Sequence, residues 1–409
     1  MKKKVVVIGA GPAGIMAAIS AAEHNKEVVL IDKNDHIGRK LRITGGGRCN
    51  ITNNCSINEI IEKTLSNGKF LYNSLNKFSN INLINFIESN GCKLKVEHKG
   101  KVFPVSDKSD DIINVFSKVL NNNEVILKMN CEVKEVLVSD NKVSGVRLQD
   151  NNIIRCDGVV ISTGGMSYPH LGSTGDGYRF ASDLEHNIVK IRPSLVPINI
   201  KEKWIKDLMG ISLNSVKITT KISNKKKISS KGDLLFTHYG ISGPAVLEHS
   251  AYLSQYSEIL ESTIHLDLLP NYNQEELEQI FHQESQFNGS KLVKTVLTDL
   301  LPKNLCSKLL DLLNIDEYIK LGQLSKKDRN KIINTIKSLT LTTNGFRHIK
   351  EAIVTSGGIS VKEIDSKTME SKLMKGLYFA GEVIDIDALT GGYNLQIAFS
   401  TGYVAGINV

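Results

Sequence analysis

A glycine-rich turn near the start of the chain constrains its fold more than any other feature. Residues 5–8 (VVVI) form a continuous apolar run, as expected for a strand buried on both faces. The turn at residues 9–14 fits the pattern GxGxxG, and Pro12 to His24 then predicts an alanine-rich helix. A second apolar run, Glu27 to Asp32, predicts another buried strand. The sequence therefore predicts one βαβ unit.

Each glycine of this turn has a separate predicted task. Gly9 permits the tight turn out of the strand, Gly11 lets the backbone approach a pyrophosphate closely, and Gly14 lets helix and strand pack together. The pyrophosphate would lie at the helix N-terminus, where unpaired N–H groups and the helix dipole favour anions. Asp32 ends the next strand, where its carboxylate can accept hydrogen bonds from ribose hydroxyls. Together these residues predict a dinucleotide-binding site.

The C-terminal end of the chain favours FAD over NAD as that dinucleotide. Residues 377–380 (LYFA) predict a buried strand ending in Gly381 and Glu382, and Thr390 to Gln396 opens the last helix. FAD needs such a second contact, because its adenosine lies on the βαβ unit while its flavin extends across the sheet. A helix N-terminus there would stabilise the negative charge of a reduced flavin. The alternative is an ordinary helix entry after a loop.

Four segments resemble those of a known family: Thr44–Asn53, Ser162–Gly165, Gly376–Glu382 and Thr390–Gln396. On these motifs the chain resembles the BaiN/HI0933-like family of bacterial flavoproteins, essentially from end to end. The resemblance implies bound FAD and an α/β fold, with an FAD-binding Rossmann-like domain of the two-dinucleotide-binding type and an inserted β-barrel plus helical domain. It also implies an NAD(P)/FAD-dependent oxidoreductase. The family's reaction is not uniform, because one branch resembles bile-acid-intermediate ene reductases and another is assigned as aminoacetone oxidases.

The domain boundaries follow from a change in the character of the chain after Pro193 and Pro197, before buried-strand patterns return near Leu377. We place the FAD-binding domain at 1–193 and 345–409 and the inserted domain at 194–344. Within the insert, we expect the small barrel at about 194–245 and 339–344. The helical part is expected at about 246–338.

The resemblance also implies which residues contact the cofactor. Those implied on the ADP part are Gly9, Ala10, Gly11, Pro12, Ala13, Gly14, Asp32, Lys33 and, through its backbone at adenine, Val133. Those implied along the pyrophosphate, ribityl chain and flavin are Arg39, Lys40, Gly45, Gly46, Gly47, Arg48, Asn50, Thr163, Gly164, Gly381, Glu382, Asp387, Asn394, Leu395 and Gln396. Related flavoproteins usually have Gly-Asp where this chain has Gly381-Glu382, which puts a direct ribityl contact by Glu382 in question.

Two cysteines near the glycine-rich block raise the alternative of a flavin disulfide reductase. Those enzymes separate their cysteines by four residues, whereas Cys49 and Cys55 have five between them. Six positions along a helix rotate the side chain by about 600°, which puts the two sulfurs on well-separated faces. No second GxGxxG is present for NADPH. The six cysteines of the chain include no CxxC pair, which favours a reducing, cytoplasmic setting.

Reduction of a polarised C=C or C=O bond needs a hydride from the flavin and a proton from a positioned acid. Candidate acids lie in or beside the motif-like segments, and for each the alternative is a structural or surface role. The candidates are Arg48, Tyr168, His170, His238 and Tyr393. No HxH or HExxH spacing indicates a metal site.

We therefore expect a cytoplasmic FAD-dependent oxidoreductase that takes hydride transiently from NAD(P)H and reduces a small or medium organic acceptor. A second hypothesis is an FAD-dependent amine or aminoketone oxidase that produces peroxide. A third is a tRNA-modifying flavoprotein, which only the formal charge of +8 supports. The lysines are scattered apart from a run at 221–231, so the sequence favours a small-molecule substrate, no nucleic acid and no membrane partner. The oligomeric state stays open.

Overall fold

The computed structural model describes residues 2–223, 226–256 and 261–409, and it divides into two compact units. Unit 1 comprises Met1–Pro193 and Ala352–Val409, and unit 2 comprises Ser194–Glu351. The second boundary, predicted after residue 344, falls seven residues later, because the strand that closes the barrel runs to Phe346 and the Arg347 N–H bonds to the Pro197 carbonyl. Lys225 of the lysine run lies outside the described residues.

The helices and strands have the following bounds. The first part of unit 1 contains β1 (Lys4–Ile8), α1 (Pro12–Glu23), β2 (Glu27–Ile31), α2 (Arg39–Ile43), β3 (Thr52–Asn53), α3 (Ile57–Glu62), α4 (Tyr72–Lys77), α5 (Asn80–Ser89), β4 (Leu94–Val96), β5 (Lys101–Pro104), α6 (Ser109–Asn122), β6 (Ile126–Lys128), β7 (Val133–Ser139), β8 (Lys142–Leu148), β9 (Ile153–Arg155), β10 (Gly158–Ile161), α7 (Asp176–Asp183) and β11 (Ile188–Ser194). Unit 2 contains β12 (Ile198–Ile200), β13 (Ser212–Ser223), β14 (Lys226–Thr237), β15 (Gly240–Ser242), α8 (Pro244–Ser254), β16 (Thr263–Asp267), α9 (Gln274–Asn288), α10 (Val293–Thr298), α11 (Lys303–Leu312), α12 (Lys326–Lys337) and β17 (Leu339–Phe346). Unit 1 ends with β18 (Val354–Ile359), β19 (Leu377–Phe379) and α13 (Tyr393–Asn408).

A five-stranded parallel sheet forms the centre of unit 1, in the order β19-β10-β1-β2-β6. Strands β1, β2 and β19 are the apolar runs that the sequence predicted as buried strands, and Val5, Val6 and Val7 are fully buried because helices cover both faces of such a sheet. Strands β7, β8 and β9 form a separate antiparallel meander, and β6 pairs in parallel with β2 at the edge of the central sheet.

The first and last helices of the chain pack closely against each other in unit 1. The Ser20 hydroxyl in α1 donates to the Tyr403 carbonyl in α13 at 3.1 Å. A side chain on Gly402 would place its Cβ 2.2 Å from the Ala13 carbonyl oxygen, and one on Gly406 would approach the Ala17 carbonyl oxygen to 2.3 Å. The absence of side chains at these two positions therefore lets the two helices touch along their backbones.

Unit 2 contains a closed six-stranded barrel in the order β12-β15-β14-β13-β16-β17. The predicted Rossmann-like domain and inserted barrel are thus both present. One strand was assigned wrongly, because β16 lies within the range predicted as helical, between α8 and α9. It pairs antiparallel with β13 and β17, and Ile264 and Leu266 point into the barrel core. Among the described residues, no helix is long and apolar enough to cross a membrane.

A buried histidine joins two barrel strands to helix α8. His249 is fully buried, with Nε2 2.7 Å from the Thr220 hydroxyl and Nδ1 2.8 Å from the Ser230 hydroxyl. Burial lowers the pKa of His249 from 6.5 to about 4. The ring is therefore neutral in the folded chain at neutral pH, and both its nitrogens are hydrogen-bonded.

This pKa predicts that acid weakens the fold. Between pH 6.5 and about 4 the unfolded chain binds a proton at His249 that the folded chain does not, so stability falls as the pH falls through that window. The loss reaches about 3 kcal/mol at the lower end. We expect His249→Gln to flatten the dependence of the urea midpoint on pH between 7 and 4. The same change at exposed His282 should leave that dependence as in the parent chain, and equal slopes for both variants would contradict the assignment.

Candidate functional site

The four strands β1, β2, β10 and β19 all end at the same edge of the parallel sheet. The residues that follow them are Gly9, Asp32, Ser162-Thr163 and Ala380-Gly381. In open α/β sheets, ligands bind in the crevice beyond these carboxyl ends. The structure therefore gathers the N-terminal motif, the Thr163 segment and the C-terminal motif at one edge, although they are hundreds of residues apart in sequence.

The geometry of the glycine turn agrees with the three tasks assigned from sequence. Gly9 has φ +100°, and a Cβ there would lie 2.6 Å from the Ser162 carbonyl oxygen. A Cβ on Gly14 would lie 1.8 Å from the Gly9 carbonyl oxygen, so helix and strand meet there. A Cβ on Gly11 would meet no atom within 4 Å, although this residue directly precedes helix α1. The helix N-terminus thus faces open space that a pyrophosphate can enter.

Asp32 connects the turn to the loop after β2. One carboxylate oxygen, Oδ2, accepts from the Ala10 N–H at 2.6 Å, and the other accepts from the Asn34 N–H and amide at 2.8 Å each. Each carboxylate oxygen has two acceptor sites, so Oδ2 retains one for a ribose hydroxyl. Arg39 supports this loop through a 3.1 Å hydrogen bond to the Asn34 amide oxygen.

A cleft lies beside this turn, at the position where the adenosine half of FAD is expected. It is lined by Ile8, Gly9, Ile31, Asp32, Lys33, Cys131, Glu132, Val133, Thr163, Gly172, Asp176 and Phe180. The Thr163 hydroxyl is buried there, and no described residue accepts from it or donates to it. Since a buried hydroxyl without a partner is costly, this orphan fits a bound polar ligand. Lys33 spans the cleft mouth with hydrogen bonds to the side chains of Thr174 and, at 2.5 Å, Asp176.

Further along the edge, Lys40 and Glu382 form an ion pair of 2.8 Å. The Lys40 ammonium also donates to the Ser167 hydroxyl at 2.6 Å. The second carboxylate oxygen of Glu382 accepts from the Thr355 N–H at 2.8 Å and from Ser167 at 3.1 Å. The Glu382 side chain is thus held by Lys40, Ser167 and the Thr355 backbone, and a contact of Gly381-Glu382 with the cofactor stays a prediction. Gly381 lies against α1, since a Cβ on it would be 2.7 Å from the Ala13 Cβ.

Tyr168, one of the candidate proton donors, lies next to this ion pair, and the exposed His170 lies beside Tyr168. Tyr168 follows Ser167 in a left-handed conformation (φ +55°), which a bulky residue adopts only under local constraint. Its ring centroid is 5.8 Å from the Lys40 ammonium and 5.9 Å from the His170 ring. Burial raises the pKa of Tyr168 above its usual value of 10, so the hydroxyl stays protonated at neutral pH.

The glycine-rich block at 45–47 leaves backbone open to solvent, but Arg48 is engaged elsewhere. Gly46 and Gly47 have positive φ, and a Cβ on either would meet no atom within 4 Å. The Arg48 guanidinium pairs with Glu97 at 2.9 Å and Asp107 at 3.2 Å, and it stacks 4.0 Å from the Phe103 ring centroid. The hydrogen bond that Arg48 donates to Glu97 raises the pKa of the guanidinium, which makes it a poor proton donor. The structure thus shows a structural role for this side chain, and its predicted contact with the cofactor or substrate stays a prediction.

The side chains near the C-terminus that were predicted to contact the flavin form hydrogen bonds within the protein. Asp387 is fully buried and accepts from the Ser66 and Ser356 hydroxyls at 3.2 Å each. The Asn394 amide bonds to the backbone of Ala388 on both its oxygen and its nitrogen. Here the backbone N–H groups of the first turn of α13, including those of Asn394 and the half-buried Leu395, remain the groups able to face a flavin.

Three more side chains that were predicted to contact the cofactor or substrate form contacts within the protein. The fully buried Gln396 accepts from the Thr52 hydroxyl at 2.6 Å and donates to the Phe78 carbonyl at 3.2 Å. The buried Tyr393 ring packs on Gly391. Asn50 likewise accepts from the Val102 N–H at 3.2 Å, which fixes the end of the glycine-rich block. These three side chains therefore support the segments from which the site is built.

His238 belongs to unit 2, in the turn between β14 and β15. Its ring contacts Tyr239 edge-on at 4.8 Å, and the Arg347 guanidinium lies 4.4 Å from the Tyr239 ring centroid. A catalytic role for His238 stays a prediction.

The cysteines do not fit a disulfide reductase. Cys49 is fully buried, and burial raises its thiol pKa to about 12. Burial likewise raises the pKa of Cys55 to about 11. A redox-active cysteine needs an accessible thiolate, which neither position provides. All six cysteines are free, and no group of three metal-binding side chains occurs within the described part of the chain.

Several residues at this edge were missed by the sequence analysis. Ser167 and Thr355 hold Glu382, Asn34 holds Asp32, and Asp176 holds Lys33. Ser167 and Asp176 lie shortly after glycines of the Thr163–Gly165 and Gly172–Gly175 stretches, a signal that could have indicated loop residues near a cofactor. Thr355 lies in a strand pattern with no such signal.

The comparisons with known proteins show the family and the fold of the chain. A family model described as the HI0933-like protein Rossmann domain matches residues 3–408. A ribosomal RNA dihydrouridine synthase of Haemophilus influenzae is 34% identical over 413 residues, covering 99% of this chain and 98% of that protein. A 3-dehydro-bile acid delta(4,6)-reductase of Clostridium scindens is 29% identical, covering 98% of each chain. The crystal structure of a 3-ketosteroid delta1-dehydrogenase from Sterolibacterium denitrificans superimposes with a TM-score of 0.53 at 13% identity over 99% of each chain, which supports the fold.

Proposed function

We propose that this chain, which belongs to the HI0933-like family of FAD-dependent oxidoreductases, reduces a carbon–carbon double bond conjugated with a carbonyl group. The observation that carries the proposal is the chemistry shared by two relatives that match the chain over nearly its whole length. Dihydrouridine is uridine whose ring double bond, beside a carbonyl, has been reduced. A 3-dehydro steroid with double bonds at 4 and 6 is a dienone, so its reduction is the same reaction type.

FAD, when bound, would supply the hydride-transfer chemistry, with NAD(P)H as the source of the hydride and the carbon β to the carbonyl as its destination. The net reaction adds one hydride and one proton across the double bond, and NAD(P)H is oxidised to NAD(P)⁺. The residues of the chain must therefore stabilise negative charge on the carbonyl oxygen and provide the proton. The Lys40 ammonium provides a positive charge close to Tyr168, and Tyr168 is the protonated acid beside it.

We propose a uracil base of ribosomal RNA as the acceptor, which departs from the expectation of a small-molecule substrate. The relative that acts on ribosomal RNA is more similar to this chain, at 34% identity, than the bile-acid reductase at 29%. A base must leave its stack before an enzyme can reach it, so single-stranded or looped RNA is the expected form. RNA of this kind is cytoplasmic in bacteria, which suits a chain with six free cysteines. A steroid-like dienone is the second candidate, supported by the second relative.

The test uses the FAD-loaded chain without oxygen. Ribosomal RNA from a strain that lacks the gene is incubated with the protein and NADPH or NADH, and nucleosides are then analysed by mass spectrometry. The proposal predicts conversion of a fixed uridine position to dihydrouridine, with one NAD(P)H consumed per product. A 3-oxo-4,6-diene steroid replaces the RNA in a parallel reaction. Neither acceptor reduced, or peroxide formed from an amine substrate in air, would mean that the proposed reaction is wrong.

The same assay tests the proton donor. We expect Tyr168→Phe to lower the rate of acceptor reduction by about 100-fold, since a positioned general acid contributes at least that much. FAD content and the rate of flavin bleaching by NAD(P)H should stay unchanged, because neither step needs this proton. Tyr72→Phe, at a 60% exposed tyrosine, is the matched control and should behave as the parent chain. Full acceptor reduction by Tyr168→Phe would remove Tyr168 from the mechanism.

A further inference from the structure

The long hairpin of the barrel carries lysines in opposite pairs on its outer face. Strands β13 and β14 pair antiparallel, with Lys217 opposite Lys231 and Lys221 opposite Lys227. All four side chains are exposed. Since alternate residues of a strand share a face, both lysine pairs lie on the same outward side of the hairpin. One further cross-strand pair, Thr219 and Ser229, lies between them. The inward side of the same strands holds buried Val216, Ile218 and Ile228.

This arrangement is unfavourable for folding by itself. Like charges directly opposite each other on a sheet destabilise it, and their Cβ atoms lie roughly 5 Å apart. No described carboxylate lies within ion-pair distance of these four lysines. Lys231 bonds to the neutral amide of Asn271 at 3.1 Å. Asp267 lies on the neighbouring strand β16, directly opposite Lys217 of β13, but its carboxylate forms an ion pair of 2.8 Å with Lys337. The positive charge of the hairpin is therefore left for a partner.

A row of side chains with hydroxyl and imidazole groups crosses four neighbouring strands between the two lysine pairs. Between the two lysine pairs, Thr219 lies opposite Ser229 on one side and His265 on the other, and His265 lies opposite Thr340. Such groups are frequent donors to phosphate and ribose oxygens. None of the described exposed large apolar side chains lies on β13, β14, β16 or β17, so the face lacks the groups that insert into a lipid surface.

We infer that this outer barrel face, which we call the lysine face (Lys217, Thr219, Lys221, Lys227, Ser229 and Lys231), binds the sugar–phosphate backbone of the substrate RNA. The inference rests on the proposed function, because it names the surface that gives the chain affinity for its polyanionic substrate. Backbone contacts of this type carry no sequence information, and they make affinity strongly dependent on salt.

The test compares two four-fold variants. In the first, all four face lysines become glutamine (Lys217→Gln, Lys221→Gln, Lys227→Gln and Lys231→Gln). In the control, four exposed lysines of the helical part are changed in the same way (Lys303→Gln, Lys320→Gln, Lys326→Gln and Lys327→Gln). Binding of the FAD-loaded chains to a fluorescent single-stranded uridine-rich RNA is measured at several salt concentrations. Anionic phosphatidylglycerol vesicles form a second arm.

For the face variant, we expect the slope of log affinity against log salt to decrease by about 3, at roughly 0.7 per lost phosphate contact. Over a fourfold rise in salt, the parent chain should therefore lose about 50-fold more affinity than the variant. The control should match the parent, and flavin reduction should be unchanged in both. Equal RNA binding by parent and face variant, or loss of vesicle binding alone, would overturn the inference.

The two proposals fail separately in this design. Dihydrouridine formation by the parent chain together with unchanged RNA binding by the face variant would remove the lysine face and leave the proposed function. RNA binding that depends on the face lysines, without dihydrouridine formation, would remove the proposed function and leave the binding surface.

Discussion

Gly11→Val should give a folded chain that does not hold FAD. The backbone of Gly11 has φ −80° and ψ −176°, an extended conformation that valine adopts readily, and its Cβ would meet no protein atom within 4 Å. The new side chain would instead occupy the space into which the pyrophosphate must enter. We expect FAD affinity to fall at least about 100-fold, or about 3 kcal/mol, measured by titration of the apoprotein with FAD. The unfolding midpoint of the apoprotein should shift little.

Gly14→Ala is the counterpart that separates binding from folding. Its Cβ would lie 1.8 Å from the Gly9 carbonyl oxygen, so the strand-to-helix turn itself must move. We expect this variant to lose apoprotein stability as well as FAD binding. If Gly11→Val kept the FAD affinity of the parent chain, the pyrophosphate would have to lie elsewhere. The assignment of the turn at residues 9–14 as its binding site would then be wrong.

Gly402→Ala should destabilise unit 1 strongly, because it separates the first and last helices. Alanine normally stabilises a helix by about 1 kcal/mol relative to glycine. Here its Cβ would lie 2.2 Å from the Ala13 carbonyl oxygen, a backbone atom that cannot rotate away. We expect the clash to win, with a net loss of about 3 kcal/mol in the free energy of unfolding by urea. FAD affinity should fall with it, since Ala13 belongs to the pyrophosphate turn.

Gly232→Ala is the matched control for this substitution. Its φ is not in the left-handed region, and its nearest contact would be an ordinary 3.4 Å, so the expected change in unfolding free energy is small. A Gly402→Ala chain as stable as the Gly232→Ala chain would show that α1 and α13 are not packed as described.

The parallel sheet and the glycine turn could be predicted because their signals are local. A run such as Val5 to Ile8 is apolar at every position only when both faces of a strand are buried, and the spacing of Gly9, Gly11 and Gly14 reports three backbone requirements within one turn. The two-unit organisation followed from a change in pattern after Pro193.

The side-chain partners of the site could not be predicted, since they depend on residues far apart in sequence. Lys40 pairs with Glu382, and the Thr52 hydroxyl pairs with Gln396, across more than 300 residues in each case. The hydrophobic pattern of the last helix does not predict whether the Gln396 side chain points into the protein core or toward a cofactor. The strand Thr263–Asp267 was missed because five alternating residues between helical patterns carry too weak a signal, and only its barrel neighbours make it a strand.

The claim on which the other conclusions depend is that both ends of the chain close around a single dinucleotide. Its most direct test is the flavin released when the purified chain, incubated with an equal mixture of FAD and FMN and then washed, is denatured. We expect one FAD per chain and little FMN, because the cleft beside Asp32 and Thr163 should supply much of the binding through the adenosine. A chain that releases no flavin, or that takes up FMN as readily as FAD, would contradict it.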